Sequence, residues 1–179
     1  MKIMNLEEIE RVLKRLCQKF LSKNENLDGL IVVGIQRRGA VLAERISKLI
    51  KDIKGQKVPV GTLDINLYRD DLSRISYQPV IRSTNIPFSI DDKHVLLVDD
   101  VLYTGRTVRA ALDALLDLGR PKKIELMVLL DRNCRELPIQ ADYTGKKIIL
   151  SSDKMVEVKL REVDDREEVV VLKRGEDEI

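Results

Sequence analysis

Val95-Leu96-Leu97-Val98-Asp99-Asp100-Val101-Leu102-Tyr103-Thr104-Gly105-Arg106-Thr107 is the stretch that settles how this chain folds. Its first four residues are wholly apolar, as a strand buried on both faces of a parallel sheet requires. Two adjacent carboxylates, Asp99 and Asp100, follow at the strand's end, and a short turn leads to Thr104-Gly105-Arg106-Thr107. Beyond it, Val108, Ala111, Leu112, Leu115 and Leu118 recur at helical spacing, and Gly119 with Pro121 marks the stop. The helix start offers unpaired N–H groups and a positive dipole end, which suits a phosphate. Gly105 lets the backbone come close, and the Thr104 and Thr107 hydroxyls add donors. Asp99 and Asp100, just before this nest, can accept hydrogen bonds from vicinal hydroxyls and help hold a divalent cation shared with the ligand. A phosphate beside a diol describes a ribose 5-phosphate. Two acids alone would read as a solvated strand end and Thr104 as a helix cap; the whole arrangement favours a ligand site.

The rest of the chain alternates in the same way. An amphipathic helix is predicted from Leu6 to Lys23, with Ile9, Val12, Leu13, Leu16, Cys17 and Phe20 as its apolar stripe. Leu30-Ile31-Val32-Val33 reads as a buried strand, Gly34 to Gly39 as a loop, and Val41 to Ile50 as a second helix. Val58 to Leu67, Ile124 to Leu130, Ile148 to Leu150, Val156 to Leu160 and Val169 to Leu172 read as further strands. Strand–helix alternation with apolar strands predicts an α/β fold: one domain over residues 1–179, with a mostly parallel central sheet flanked by helices. Such sheets bind ligands at the carboxyl ends of their strands. From Tyr68 to Pro87 the sequence is polar and aperiodic, with Arg69, Arg74 and Arg82, and reads as a flexible loop that could cover an anion.

Composition excludes several chemistries. With 44% apolar and 35% charged residues the chain reads as globular, and a net charge of +2 gives no global pull toward nucleic acid or membrane. The acidic start lacks signal-peptide anatomy, no stretch could span a bilayer, and the cytoplasm is the expected compartment. One histidine, His94, and two scattered cysteines, Cys17 and Cys134, cannot form a recognisable zinc site or a nucleophile–His triad. Gly34 and Gly39 have Walker-type spacing, but Ala40-Val41 follows where Lys-Ser/Thr is needed.

The segment from Val98 to Arg109 resembles the ribose-5-phosphate motif of type I phosphoribosyltransferases. Together with Val33 to Gly39, Asp64 to Leu72 and Asp131 to Gly145, it makes the chain similar to the PyrR family over nearly its whole length. That family comprises pyrimidine-operon attenuation regulators with uracil phosphoribosyltransferase activity. The resemblance implies a type I phosphoribosyltransferase fold with a flexible loop and a small C-terminal hood. It also implies transfer of ribose 5-phosphate from 5-phosphoribosyl 1-pyrophosphate (PRPP) to uracil, giving UMP and pyrophosphate, with Mg²⁺ held mainly through PRPP and next to Asp99 and Asp100. It places Arg38 and Gly39 in the pyrophosphate loop, where the family has strained, sometimes cis, backbone. Arg69 closes over the pyrophosphate, Asp99 and Asp100 take the ribose hydroxyls, and Thr104, Gly105, Arg106 and Thr107 take the 5-phosphate. Tyr143 covers the base, backbone near Thr144 reads its edge, and Arg132 lies beside it. Purine enzymes tend to keep a Lys at the Asp131-Arg132 step, so its absence points to uracil.

The same resemblance implies binding of a pyrimidine-leader mRNA, promoted by UMP or UTP, by a homodimer or higher homo-oligomer. At 3% aromatic residues the chain has no stacking platform for single strands, so a basic face would have to do the work. Lys14, Arg15, Lys23, Arg132, Arg135 and Lys146 are the candidates. Gln18, Arg37, Cys134 and Gln140 depart from the residues typical of members that bind RNA well, which bears on whether RNA regulation is retained. Two alternatives stand beside the bifunctional reading: a hypoxanthine or guanine phosphoribosyltransferase, and a non-catalytic nucleotide-sensing RNA regulator.

Overall fold

The computed structural model describes residues 1–70 and 83–173. Along the chain run β1 (Lys2–Asn5), α1 (Leu6–Lys23), β2 (Leu30–Ile35), α2 (Arg38–Lys54), β3 (Val60–Leu63), β4 (His94–Leu102) and α3 (Arg106–Leu118). Then come β5 (Lys123–Asp131), β6 (Tyr143–Lys147), β7 (Lys154–Lys159), the short α4 (Arg161–Asp164) and β8 (Glu168–Lys173). The α1 start is a capping box: the Asn5 side chain accepts from Glu8 N at 3.0 Å, and Glu8 accepts from Asn5 N at 2.8 Å.

Five strands form the central sheet in the order β3-β2-β4-β5-β6, every adjacent pair parallel. Its apolar strands alternate between two cores. Val32, Leu96, Val98, Met127 and Leu129 face α1 and α2, with Leu13, Phe20, Leu42 and Ile46 packed on them. Ile31, Val33, Val95, Leu97 and Val128 face α3 through Val108, Ala111 and Leu115. Each fully buried Leu or Ile contributes about 1.5–3 kcal/mol, which is why the alternating faces fix the register. The remaining strands make a second, antiparallel sheet, β1-β8-β7, so the expected C-terminal hood also draws on the N-terminal strand.

From β2 the chain steps to β3 on one side, then returns to β4 on the other. The carboxyl ends of β2 and β4 are therefore the switch point, where a crevice opens between diverging connections.

Several expected boundaries move. The third strand is only Val60–Leu63, followed by a 3-10 turn at Asn66–Tyr68. The Gly34 to Gly39 loop shrinks to two residues: Gly34 and Ile35 end β2, a cis peptide joins Gln36 and Arg37, and α2 starts at Arg38. Gly34 and Gly39 explain the compression, because a Cβ on Gly34 would lie 2.4 Å from Ala40 Cα and one on Gly39 2.6 Å from Val98 O. Ile148 to Leu150 is not a strand: β6 ends at Lys147, and Ile149 is exposed. Arg74 and Arg82 lie outside the described residues. No helix among the described residues is long and apolar enough to cross a membrane.

Candidate active site

Asp99 and Asp100 lie inside β4, not beyond it, because pairing with β5 continues to Leu102 opposite Asp131. Alternation then sends them to different sides: Asp99 is buried and Asp100 half-buried. The backbone N–H of Asp100 donates to Asp99 Oδ1 and that of Val101 to Asp100 Oδ1, both at 2.9 Å. Burial, then the charge of Asp100, pushes the Asp99 carboxyl well above the usual carboxylate range. Burial raises Asp100 too, while its hydrogen bond with Asp99 and the Arg38 charge pull it back. Two adjacent acids held this way are poised to regain full charge when a cation or cationic ligand arrives.

A cleft of about 340 Å³ opens at the switch point, lined by Gln36, Arg37 and Arg38 from the β2–α2 turn and by Asp99, Asp100 and Thr107. Asp64, Asn66 and Arg69 line it from the far side. The structure thus brings Arg38, Arg69, Asp99, Asp100 and Thr107 to one cleft.

The nest after β4 has the expected form. Gly105 sits at φ 93° as the cap of α3 and has no side chain of its own to cap the first turn. Arg106 N donates to Thr104 Oγ1 at 3.3 Å, and Thr104 O accepts from Glu136 N at 2.9 Å. The Arg106 side chain points elsewhere, to Glu136 and Asp70. Its contact with a phosphate would come from the backbone N–H.

Arg38 lines the cleft but its guanidinium is already paired: Asp164 accepts Nε at 3.0 Å and Nη2 at 2.7 Å. Gly39 is buried against Val98 and Asp99, where it serves close approach of α2 to β4.

Tyr143 does not reach the cleft. It begins β6 level with Met127, and its ring is fully buried in the core against Phe20 at 5.5 Å. Its hydroxyl points back along the sheet, donating to Glu125 Oε1 at 3.2 Å and accepting from Asn24 Nδ2 at 3.1 Å. Burial, and then the Glu125 charge, pushes that phenol up to about 12. A ring in the core cannot cover a base, so the expected role of Tyr143 is withdrawn. Thr144 is half-buried in the ladder opposite Val128.

Arg132 is where the carboxyl-end reading puts it. Its N–H donates to Leu102 O at 2.9 Å, its guanidinium stacks 4.0 Å from the Tyr103 ring, and Nη2 donates to Lys154 O at 2.9 Å. Tyr103 and Arg132 thus stack beside the start of β7. Tyr103 is a functional candidate that sequence reasoning passed over. Its signal was its place inside the opening motif.

Of the basic residues expected to meet RNA, Arg15, Lys23 and Lys146 gather where α1 crosses β6. Arg15 Nη2 donates to Gly145 O, Lys146 Nζ donates to Ile3 O at 3.2 Å, and Lys23 Nζ stands 5.5 Å from the Tyr143 ring. Lys14 lies on the flank facing α2. The Arg135 guanidinium is engaged within the fold: it holds Ile139 O, Tyr103 O and Asp131 Oδ1 at 2.7–2.8 Å and braces the loop after β5.

Residues 2–164 match the phosphoribosyl transferase domain family. A protein of Pelotomaculum thermopropionicum named bifunctional protein PyrR is 56% identical over 97% of this chain and 96% of its own length. Its namesake in Thermus thermophilus is 52% identical over 96% and 95%. The chain belongs to the PyrR family. Solved structures extend the likeness to the fold: a hypoxanthine phosphoribosyltransferase of Staphylococcus aureus superposes with TM-score 0.72 at 26% identity, covering 97% of this chain and 93% of that one. One from Trypanosoma cruzi gives 0.76 at 20%, covering 97% and 95%. Identity is about twice as high to PyrR proteins as to the purine enzymes, so the purine alternative is not favoured for this PyrR-family chain.

Proposed function

We propose that this PyrR-family chain is a uracil phosphoribosyltransferase, forming UMP and pyrophosphate from uracil and PRPP. The observation that carries this is the Asp99–Asp100 pair in β4, set between the Thr104–Thr107 nest and the Gln36–Arg38 turn. In that pose the 5-phosphate meets the start of α3, the ribose hydroxyls meet Asp99 and Asp100, and the pyrophosphate lies toward the start of α2. Uracil lies against the Tyr103–Arg132 stack.

The C1–oxygen bond to pyrophosphate breaks with its electron pair leaving on pyrophosphate, while a uracil nitrogen bonds C1 and its proton passes to solvent. Positive charge develops on the ribose, so electrostatics matter more than a nucleophile. A carboxylate about 4 Å from that charge, at an effective dielectric near 20, supplies about 4 kcal/mol, roughly a thousandfold as an upper bound. Arg69 and the N–H groups of α2 face the leaving group.

Among the described residues no group of three or more acids, His or Cys could hold a metal by itself. One or two carboxylates completed by ligand phosphates is a normal Mg²⁺ environment, so Asp99 and Asp100 fit an ion brought in with PRPP. When bound, that ion neutralises the pyrophosphate. Asp99→Asn and Asp100→Asn should each lower turnover with PRPP and uracil at least about tenfold; near-normal rates in both would end the assignment.

A second reading accompanies the first: UMP- or UTP-dependent binding of a pyrimidine-leader RNA. Its support is the exposed cluster Arg15, Lys23 and Lys146 at the α1–β6 crossing and the bifunctional name of the relatives. Reversing Lys23 and Lys146 to Glu should weaken RNA binding and its salt dependence while leaving UMP synthesis intact. Equal RNA affinity in the double variant would remove this reading.

A further inference from the structure

Arg106, Arg109, Asp113 and Asp117 form one stripe on α3, spaced by three and four residues. Three of them grip the segment that carries Arg69. Arg109 Nη2 donates to Tyr68 O at 2.8 Å, and the Tyr68 hydroxyl donates to Asp117 Oδ2 at 2.8 Å. Arg106 pairs with Asp70, and Arg109 Nη1 donates to Asp113 Oδ2 at 2.9 Å. The residues on both sides of Arg69 are therefore tied to α3, while Arg69 lines the cleft with Asp99, Asp100 and Thr107.

Arg109 is the centre of this grip. Its Nε is buried and has no hydrogen-bond partner among the described residues. A buried donor left unmade is tolerated where the other bonds of the group fix its position. Here those bonds are to the Tyr68 carbonyl and Asp113. The backbone N–H of Arg109 also donates to Gly105 O at 2.9 Å, so the clamp and the phosphate nest belong to the same turn of helix.

We propose that Arg109 is a positioning residue of the transferase: by holding the Tyr68 carbonyl it sets Arg69 against the leaving-group side of the cleft. The proposal rests on the reading of Arg69 as the cation that meets pyrophosphate. It makes the start of α3 serve two ends of PRPP, the 5-phosphate through its backbone and the pyrophosphate through Arg109 and Arg69.

The test is a double-mutant cycle on the full chain, with steady-state kinetics in PRPP and uracil. R109A should raise KM for PRPP about fivefold or more, with KM for uracil and the melting temperature nearly unchanged. R109K keeps the charge but not the fork that spans Tyr68 O and Asp113, and should show the same PRPP defect. In R69A the PRPP defect should be at least as large, and adding R109A should change it by less than about twofold. A stability loss without a PRPP effect, or full additivity in the double variant, would overturn the clamp. A defective R69A beside a normal R109A also overturns it. A normal R69A instead removes the reading of Arg69 on which the clamp depends. Should R109A fail to fold, R109K carries the same cycle.

Discussion

Arg38 and Asp164 meet through two parallel hydrogen bonds, from Nε at 3.0 Å and Nη2 at 2.7 Å, so the first turn of α2 is joined to α4 beside the smaller sheet. Arg45 repeats the device one face along, pairing with Glu162 and Glu167 at 2.6 Å each. The segment between β7 and β8 is thereby joined to α2 by charge, and Arg38 is also a wall of the cleft.

The Arg38–Asp164 pair should be measurable as stability. The two side chains are only 26% and 17% exposed, so solvent screening weakens them little. Hydrogen bonds from Arg38 hold the Asp164 carboxyl below the usual carboxylate range. A depressed acid contributes stability that is present above its unfolded pKa and is lost as pH falls through the folded one. Asp164→Asn should therefore cost about 2 kcal/mol at neutral pH, or about 4–8 °C in melting temperature. The gap to the parent should close in acid. A gap that persists unchanged below the carboxylate range would refute the charge pairing.

Tyr143→Phe separates the core placement of this ring from a role over the base. Removing the hydroxyl deletes its bonds to Glu125 and Asn24, but Glu125 keeps His94 at 2.7 Å and Lys123 at 3.0 Å. The expected cost is about 1 kcal/mol of stability, seen as a melting temperature lower by about 2–4 °C. KM for uracil should not move. A tenfold rise would return Tyr143 to the base site.

How far the sequence carries depends on whether a role is local. The strand-acid-acid-turn-helix reading of residues 95–107 survives because every step is contiguous: apolar run, Gly105 at positive φ, then helical spacing. Asp99 and Asp100 inside the strand were less legible, since pairing with β5 extends the strand and no local signal reports a neighbour. Tyr143 failed for the same reason. An aromatic before a strand has the same sequence signature whether it faces a ligand or Phe20, and only the packing of α1 on β6 decides. Arg135 looked like surface charge, yet Ile139 O in the loop after β5 and Tyr103 O in the turn after β4 both accept from it. The smaller sheet pairs β1 with β8, a contact between the two ends of the chain that no periodicity encodes.

The two thiols should separate cleanly. Cys17 is fully buried in α1, and desolvation pushes its pKa to about 11. At pH 8 about one part in a thousand is thiolate, and burial blocks access as well. Cys134 is exposed. Titration of the native chain with a disulfide reagent should count one reactive thiol, abolished by Cys134→Ser, and two after denaturation. Two fast thiols in the native state would contradict the packing of α1.

Asp99 should trade stability for turnover. Its raised pKa means that the native state binds the proton more tightly than the unfolded chain does. Stability from this group is complete below the unfolded pKa and is lost as pH rises through the folded one, so at neutral pH an ionised Asp99 strains the fold. Asp99→Asn keeps the shape and the acceptor for Asp100 N but removes the charge. The variant should melt higher than the parent at pH 7, with the difference vanishing near pH 4, while its turnover with PRPP and uracil falls at least about tenfold. In the parent, the acid limb of kcat/KM, which reports the free enzyme, should lie above the range of a surface carboxylate, because Asp99 and Asp100 must both be charged when the ribose cation develops. A divalent cation brought in with PRPP would stand beside the pair, so the limb in kcat, which reports the complex, should lie lower than that in kcat/KM. An Asp99→Asn variant that is both less stable at pH 7 and fully active would show that the pair is neither buried at a cost nor used for charge.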